Sequence, residues 1–284
     1  MKKILFIISV MFSALLQAQD SEQASVGKSG STSDILPAAG DIALGADALP
    51  YLNYLGNMFN NTTNNTLALG KQNLYFRYYL TETTALRLIL GINSTTNINK
   101  YYVQDDAALS ADPLSQAKLI DKENVYIKGI DINVGYMMTR GYNRLRGFYG
   151  AQVGYGFNRT SFDYQYGNNL TIANSAPSTA TTSQFVGGRL AKRLIEKDNG
   201  LVQNINAGLF MGVEYYFLPK ICIGGEVTLN FMYQWGSQSN SKYEQVVGSQ
   251  IVQTDEVAAP GNKKIFLGTW RPATYGGLYL MFHF

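Results

Sequence analysis

The segment Thr274-Tyr-Gly-Gly-Leu-Tyr-Leu-Met-Phe-His-Phe284 constrains the fold more than any other. Successive side chains of an extended strand point to opposite faces. Leu278, Leu280, Phe282 and Phe284 therefore share one face, and Gly277, Tyr279, Met281 and His283 share the other. This is the last of eight such segments, at about 39–48, 71–80, 84–95, 124–139, 146–164, 201–217, 220–236 and 271–284. Each sets a greasy face against glycine and polar groups. Ile130, Ile132, Val134, Tyr136 and Met138, for example, alternate with Asp131, Asn133, Gly135 and Met137.

Two architectures use a one-sided greasy strand. A soluble sandwich turns that face inward; a membrane barrel turns it to lipid and keeps its polar face for the lumen. Connection length separates them. Residues 81–83, 140–145 and 218–219 are tight links, whereas 49–70, 96–123, 165–200 and 237–270 are long. Long structureless links argue against a compact soluble domain. Short turns on one side and long loops on the other are what a transmembrane barrel has. The expectation is an all-β fold, an antiparallel up-and-down transmembrane β-barrel of eight strands, with its turns periplasmic and its long loops extracellular. Ten strands is the alternative, if 184–190 joins the sheet with a partner from the same loop.

Parity then assigns the lumen. Arg77, Arg87, Asp131, Glu214 and Glu226 fall on the inward face of their segments. An eight-stranded barrel is filled by its own side chains, and buried charges there must pair. These five residues are predicted to form a polar network that plugs the interior. A proton or ion path is the functional alternative. Gly135, Gly150, Gly154, Gly156, Gly208, Gly212 and Gly224 share the inward parity and leave room for long neighbours.

The amino-terminal region reads as an export signal. Lys2 and Lys3 precede an apolar run from Ile4 to Leu16, and Leu16-Gln17-Ala18 offers a cleavage site. The run is shorter than the ~18–20 residues of a spanning helix. The expected organisation is a signal peptide at 1–18, a flexible periplasmic leader at 19–37 and the barrel at 38–284. Loss of Lys2 and Lys3 takes the formal charge from +3 to +1, and no basic block suggests nucleic acid. The single cysteine, Cys222, cannot form an internal disulfide.

The loops offer weaker signals. Pro50 to Phe59 is rich in aromatics suited to a membrane interface. Residues 188–197, Gly-Arg-Leu-Ala-Lys-Arg-Leu-Ile-Glu-Lys, read as a short amphipathic helix whose cations could meet lipopolysaccharide phosphates. Asp105, Asp106, Asp112 and Asp121 could offer carboxylates to calcium, but their spacing is not that of an EF-hand. Catalysis has little to work with. His283 is the only histidine, it lies toward the periplasmic rim, and no nucleophile elbow supplies a serine for a triad. The chain is therefore expected not to be an enzyme and to hold no cofactor or metal.

The alternating strands, Gly224-Gly-Glu-Val-Thr-Leu-Asn230 after a tight Leu-Pro-Lys turn, Gly40-Asp-Ile-Ala-Leu-Gly45 and the aromatic carboxy-terminal residue carry a resemblance. From about residue 37 onward the chain resembles small outer-membrane β-barrel proteins of the OmpA/OmpX-like group, and is most similar to those of Bacteroidetes. The resemblance implies the bacterial outer membrane, contact with its lipid and lipopolysaccharide, and a monomer. It also implies insertion by the barrel-assembly machinery, with Phe284 as the assembly signal. The role it implies is structural or surface-interactive. A narrow pore or transporter for a small solute is the competing role, and a lipid-modifying enzyme the third.

Overall fold

The computed structural model describes residues 35–59, 72–180, 188–189, 192–268 and 277–284. The expected signal peptide and nearly all of the leader lie outside the described residues. The chain opens with strand β1 (Ile42–Asp47) and helix α1 (Leu49–Phe59), followed by β2 (Gln72–Thr81) and β3 (Thr84–Gln104). A short helix α2 (Asp106–Ala111) leads to β4 (Lys118–Tyr142) and β5 (Leu145–Gln165). Two-residue strands β6 (Ser178–Thr179) and β7 (Gly188–Arg189) pair only with each other. Then come β8 (Lys192–Leu218), β9 (Ile221–Gly236), β10 (Ser239–Val247), β11 (Gln250–Ala259), β12 (Lys263–Gly268) and β13 (Leu278–His283).

Every strand pairing is antiparallel, and the sheet closes on itself. The ring runs β1-β2-β3-β4-β5-β8-β9-β13 and returns to β1 through Ala43↔His283 to Asp47↔Tyr279. The main sheet has eleven strands rather than the expected eight. The excess arises where two members of the ring are broken. β10 takes over from β9 along β8, and β11, β12 and β13 lie in succession along β10 and β9. Gly200 sits at the break: its φ is +80, and a Cβ there would stand 2.6 Å from the Gln238 carbonyl oxygen. A side chain would close the gap through which the sheet bends.

The long loops are therefore largely sheet. β3, β4, β5 and β8 hold 21, 25, 21 and 27 residues. A tilted transmembrane strand needs about 9–11, so the four continue far beyond one membrane thickness. The expected helix at 188–197 is corrected by the same finding: from Lys192 onward that stretch is strand β8, held by β10 and β5. Conversely, Leu49–Phe59 is a helix, with Pro50 in its first turn where a missing N–H costs nothing. The short links are true turns, and Asn143 (φ 56) and Lys220 (φ 60) take left-handed conformations in two of them.

Outside, the ring carries an apolar belt. Ile132, Val134 and Tyr136 of β4, Val153 and Tyr155 of β5, and Leu209, Met211 and Val213 of β8 are all exposed. Inside, glycines are interspersed with long side chains around the levels. One level reads Asp131–Gly156–Asn204, another Phe148–Gly212–Glu226, a third Arg146–Glu214–Gly224–Tyr279. A narrow lumen admits a long side chain from one strand only if its neighbour yields the space. At Gly212 a Cβ would stand 2.3 Å from Phe148 Cζ and 2.2 Å from the Gly225 carbonyl oxygen.

Candidate functional site

The lumen is built from the inward parity of the ring. Arg77 on β2 and Arg87 on β3 stand directly opposite each other across the pair. Two like charges so placed repel. Each finds its own carboxylate on the far wall. Arg77 forms an ion pair with Glu214 of β8, and both side chains are buried. Arg87 holds Glu226 of β9 with two parallel bonds, Nη1 to Oε2 at 2.7 Å and Nη2 to Oε1 at 3.0 Å. β2 and β8 are four places apart in the ring of eight, and so are β3 and β9. Both ion pairs therefore cross the lumen on diameters.

Neighbours complete each pair. The Tyr279 hydroxyl donates to Glu214 Oε1 at 2.5 Å and accepts from Arg77 Nη2 at 2.8 Å. The Tyr216 hydroxyl donates to Glu214 Oε2 at 3.4 Å. Thr228 donates to Glu226 at 2.9 Å. The guanidinium carbon of Arg87 lies 3.8 Å from the Phe210 ring centre, a close cation–π contact. Arg77 sits over Phe148 and Tyr279 at 5.4 and 5.2 Å. A buried pair with its remaining hydrogen-bonding capacity used is the condition under which burial is tolerated.

Asp131 stands apart from these pairs. It lies across Gly156 beside Asn204, among Asn133 and Asn206 in the outer part of the lumen. Between that level and the ion pairs lie Gln152 and Asn230, flanking Gly208. Both are buried, and neither amide has a protein partner among the described residues. The lumen is thus lined by amides above and crossed by ion pairs below.

Below the ion pairs, aromatic rings close the end of the ring that carries the short turns. His283 packs against Tyr79 and Tyr216, with ring centres 5.5 and 5.4 Å away. Its Nδ1 lies 3.1 Å from the Lys220 carbonyl oxygen, and its Nε2 lies 3.2 Å from the Tyr79 hydroxyl. The carbonyl can only accept, so Nδ1 carries the proton and Nε2 accepts from tyrosine. Phe284, half a turn of pleat further on, is exposed, and exchanges two backbone hydrogen bonds with Ile42. Asp47 closes β1 on the same inward face. It accepts from the Asn73 backbone N–H and the Tyr75 hydroxyl, each at 2.8 Å, and so fixes the point where β1 ends.

The extension of the strands at the opposite end has a polar interior of its own, which sequence reasoning missed. Arg193 reaches the Asn168 carbonyl at 2.7 Å and Glu244 at 2.6 Å, and stacks on Tyr166 at 4.3 Å. Burial pushes the Tyr166 and Tyr164 hydroxyls well up, and the nearby Glu123 adds to the rise at Tyr164. The acidic residues of this region serve the backbone. Asp105 caps α2, Asp112 accepts from Leu114, and Asp121 accepts from Gly167 and Ala180. These contacts fold residues 166–180 into the top of the extension.

No family profile and no curated protein matches the sequence. Among solved structures the chain is similar to the outer membrane protein OprG from Pseudomonas aeruginosa, at 11% identity over 88% of this chain and 98% of that one, with a TM-score of 0.27. So loose an overlap adds nothing to the closed ring that the chain's own hydrogen bonds define.

Proposed function

We propose that this protein is a bacterial outer-membrane barrel with a closed lumen, acting through its surface rather than as a conduit. An antiparallel ring, greasy outside and polar inside, suits a bilayer and has no free edge in its lower half. The diametric pairs Arg77–Glu214 and Arg87–Glu226 carry the closed-lumen reading. They join opposite walls at two adjacent levels, and an ion would have to break both to pass. The role that remains is structural or surface-interactive, as a monomer, and is assigned to the long extracellular sheet. A non-catalytic role agrees with His283, whose ring nitrogens both face hydrogen-bond partners.

Planar-bilayer recording of the purified protein tests this. The expected result is no steady unitary current for the wild type. Stable, ion-selective openings would refute the closed lumen and favour a narrow pore, for which the amide-lined level at Gln152 and Asn230 would be the vestibule.

A further inference from the structure

Above the ion pairs, three successive inward rows repeat one motif. A glycine stands between two planar polar side chains: Gln152–Gly208–Asn230, then Asn133–Gly154–Asn206, then Asp131–Gly156–Asn204. The side chains fill the space that the glycines leave. A Cβ at Gly154 would stand 2.1 Å from Asn133 Oδ1 and 2.7 Å from Asn206 Nδ2; one at Gly156 would stand 2.1 Å from Asp131 Oδ1 and 2.7 Å from Asn204 Nδ2. Solvent reaches the upper two rows: Asp131, Asn204 and Asn206 are half-buried, and Asn158, one inward step higher, is exposed. The lowest row is the floor. Gln152 and Asn230 are 3% and 5% exposed, and neither the oxygen nor the nitrogen of either amide has a hydrogen-bond partner among the described residues.

A buried amide without partners destabilises a fold, and an apolar side chain of the same shape would not. The floor is therefore unfavourable until a ligand meets it. Each amide offers donors and an acceptor together, whereas an anion can only accept and an ammonium group can only donate. A hydroxyl does both at one atom, so a hydroxyl-rich molecule can use both ends of every amide. Charge points the same way. Arg87, beneath the floor, is committed to Glu226, and Asp47 to Asn73 and Tyr75. Asp131 of β4 and Lys264 of β12, which shares the row of Asn204 through Gln234, are opposite in sign. The far wall is apolar: the Asn206 row continues to Met232 and the half-buried Phe266. Hydroxyl edges and a C–H face are the two surfaces of a sugar ring, and an eight-stranded ring can hold one small ligand.

We propose that the upper lumen binds one neutral monosaccharide, with its hydroxyls on Asn133, Asn204, Asn206 and the Gln152–Asn230 floor and its C–H face toward Phe266. The proposal goes beyond the closed-lumen reading and does not depend on it. The amides flank the same glycines whether or not the ion pairs beneath them open.

The test is saturation-transfer NMR on the full-length mature protein in phosphatidylcholine nanodiscs, with D-glucose, D-galactose, D-mannose and D-xylose as probes. Saturable binding of at least one sugar is expected. Gln152→Met/Asn230→Leu replaces the floor amides by apolar side chains of similar size. Affinity for that sugar should fall at least tenfold, while the urea midpoint stays level or rises because two unpartnered amides have gone. Asn206→Leu, at a half-buried position, should weaken binding by a similar factor, and it carries the test if the double variant lacks the folded, heat-modifiable gel band. No saturable binding of any of the four sugars by the folded wild type overturns the proposal. Unchanged affinity in the variants does so too, because it places the sugar outside the lumen. Tighter binding of glycine or acetate than of every sugar overturns the hydroxyl match. Planar-bilayer current reports separately on the ion pairs. A conducting protein that binds sugar overturns the closed lumen alone, whereas a silent one that binds none overturns the sugar site alone.

Discussion

Glu214→Gln is the sharpest perturbation of the lumen, because it changes charge and little else. Glu214 is 1% exposed and faces Arg77, Tyr279 and Tyr216. Glutamine keeps a carbonyl oxygen for the Tyr279 hydroxyl but leaves the Arg77 guanidinium without its counter-charge. Removing one partner of a buried pair costs about 3–5 kcal/mol. Arg77 keeps the Tyr279 hydroxyl and two aromatic faces, so the lower half of that range, about 3–4 kcal/mol, is expected. That is roughly a 150- to 1,000-fold shift in the unfolding equilibrium. Arg77→Met/Glu214→Gln removes both charges and should cost less than either single change, about 1–2 kcal/mol. Urea titration in phospholipid vesicles, read by tryptophan fluorescence and gel mobility, measures all four corners of the cycle. A single-variant cost below about 1 kcal/mol, or a double variant that costs the sum of the singles, would refute the diametric pair as a structural tie.

Three further outcomes follow from particular contacts. Gly212→Ala should abolish the folded gel band, since overpacking costs about 1–3 kcal/mol or more and its clash involves backbone; Gly225→Ala, whose Cβ would meet nothing closer than Leu278 Cδ2 at 3.5 Å, should fold normally. Deleting Phe284 removes the two backbone hydrogen bonds to Ile42, and about 1–3 kcal/mol should appear as a lower urea midpoint. The Arg159 guanidinium holds the Asp198 carboxyl below its usual value. A depressed acid stabilises the fold above its unfolded pKa of about 3.9, and that contribution fades as pH falls through the lower folded value. The urea-midpoint gap between wild type and Asp198→Asn should therefore be constant from neutral pH down to about 4 and narrow below it, with a size under about 1 kcal/mol because the pair is solvent-exposed.

Much of the ring is legible in the sequence because a membrane barrel writes both its faces into every strand. Lipid demands an apolar side chain at each outward position, so Ile130, Ile132 and Val134 mark β4 even without a partner in view. The same period places Arg77, Arg87, Glu214 and Glu226 inside. Strand length is not legible, for the same physical reason. Beyond the belt neither face is wetted by lipid, the apolar rule lapses, and Ser94 to Gln104 of β3 mixes polar residues with Ile98, Tyr102 and Val103 over both faces although its pairing with β4 continues unbroken. Residues 192–197, Lys-Arg-Leu-Ile-Glu-Lys, suit a helix locally. They become strand because Arg193 is fixed by Glu244 on β10 and by Asn168 and Tyr166 just after β5.

Charge pairing is the intermediate case. Parity places Arg77, Arg87, Asp131, Glu214 and Glu226 on the inward face, but does not show which of them meet. Closure decides it. In a ring of eight, strands four places apart face each other, so a residue on β2 meets β8 and one on β3 meets β9. That arithmetic selects Glu214 for Arg77 and Glu226 for Arg87. Asp131 on β4 lies higher, across Gly156 from Asn204 and next to Asn133. Height along the strand, which parity does not record, thus separates the carboxylates of the two crossing ion pairs from the one at the asparagine-lined level above them.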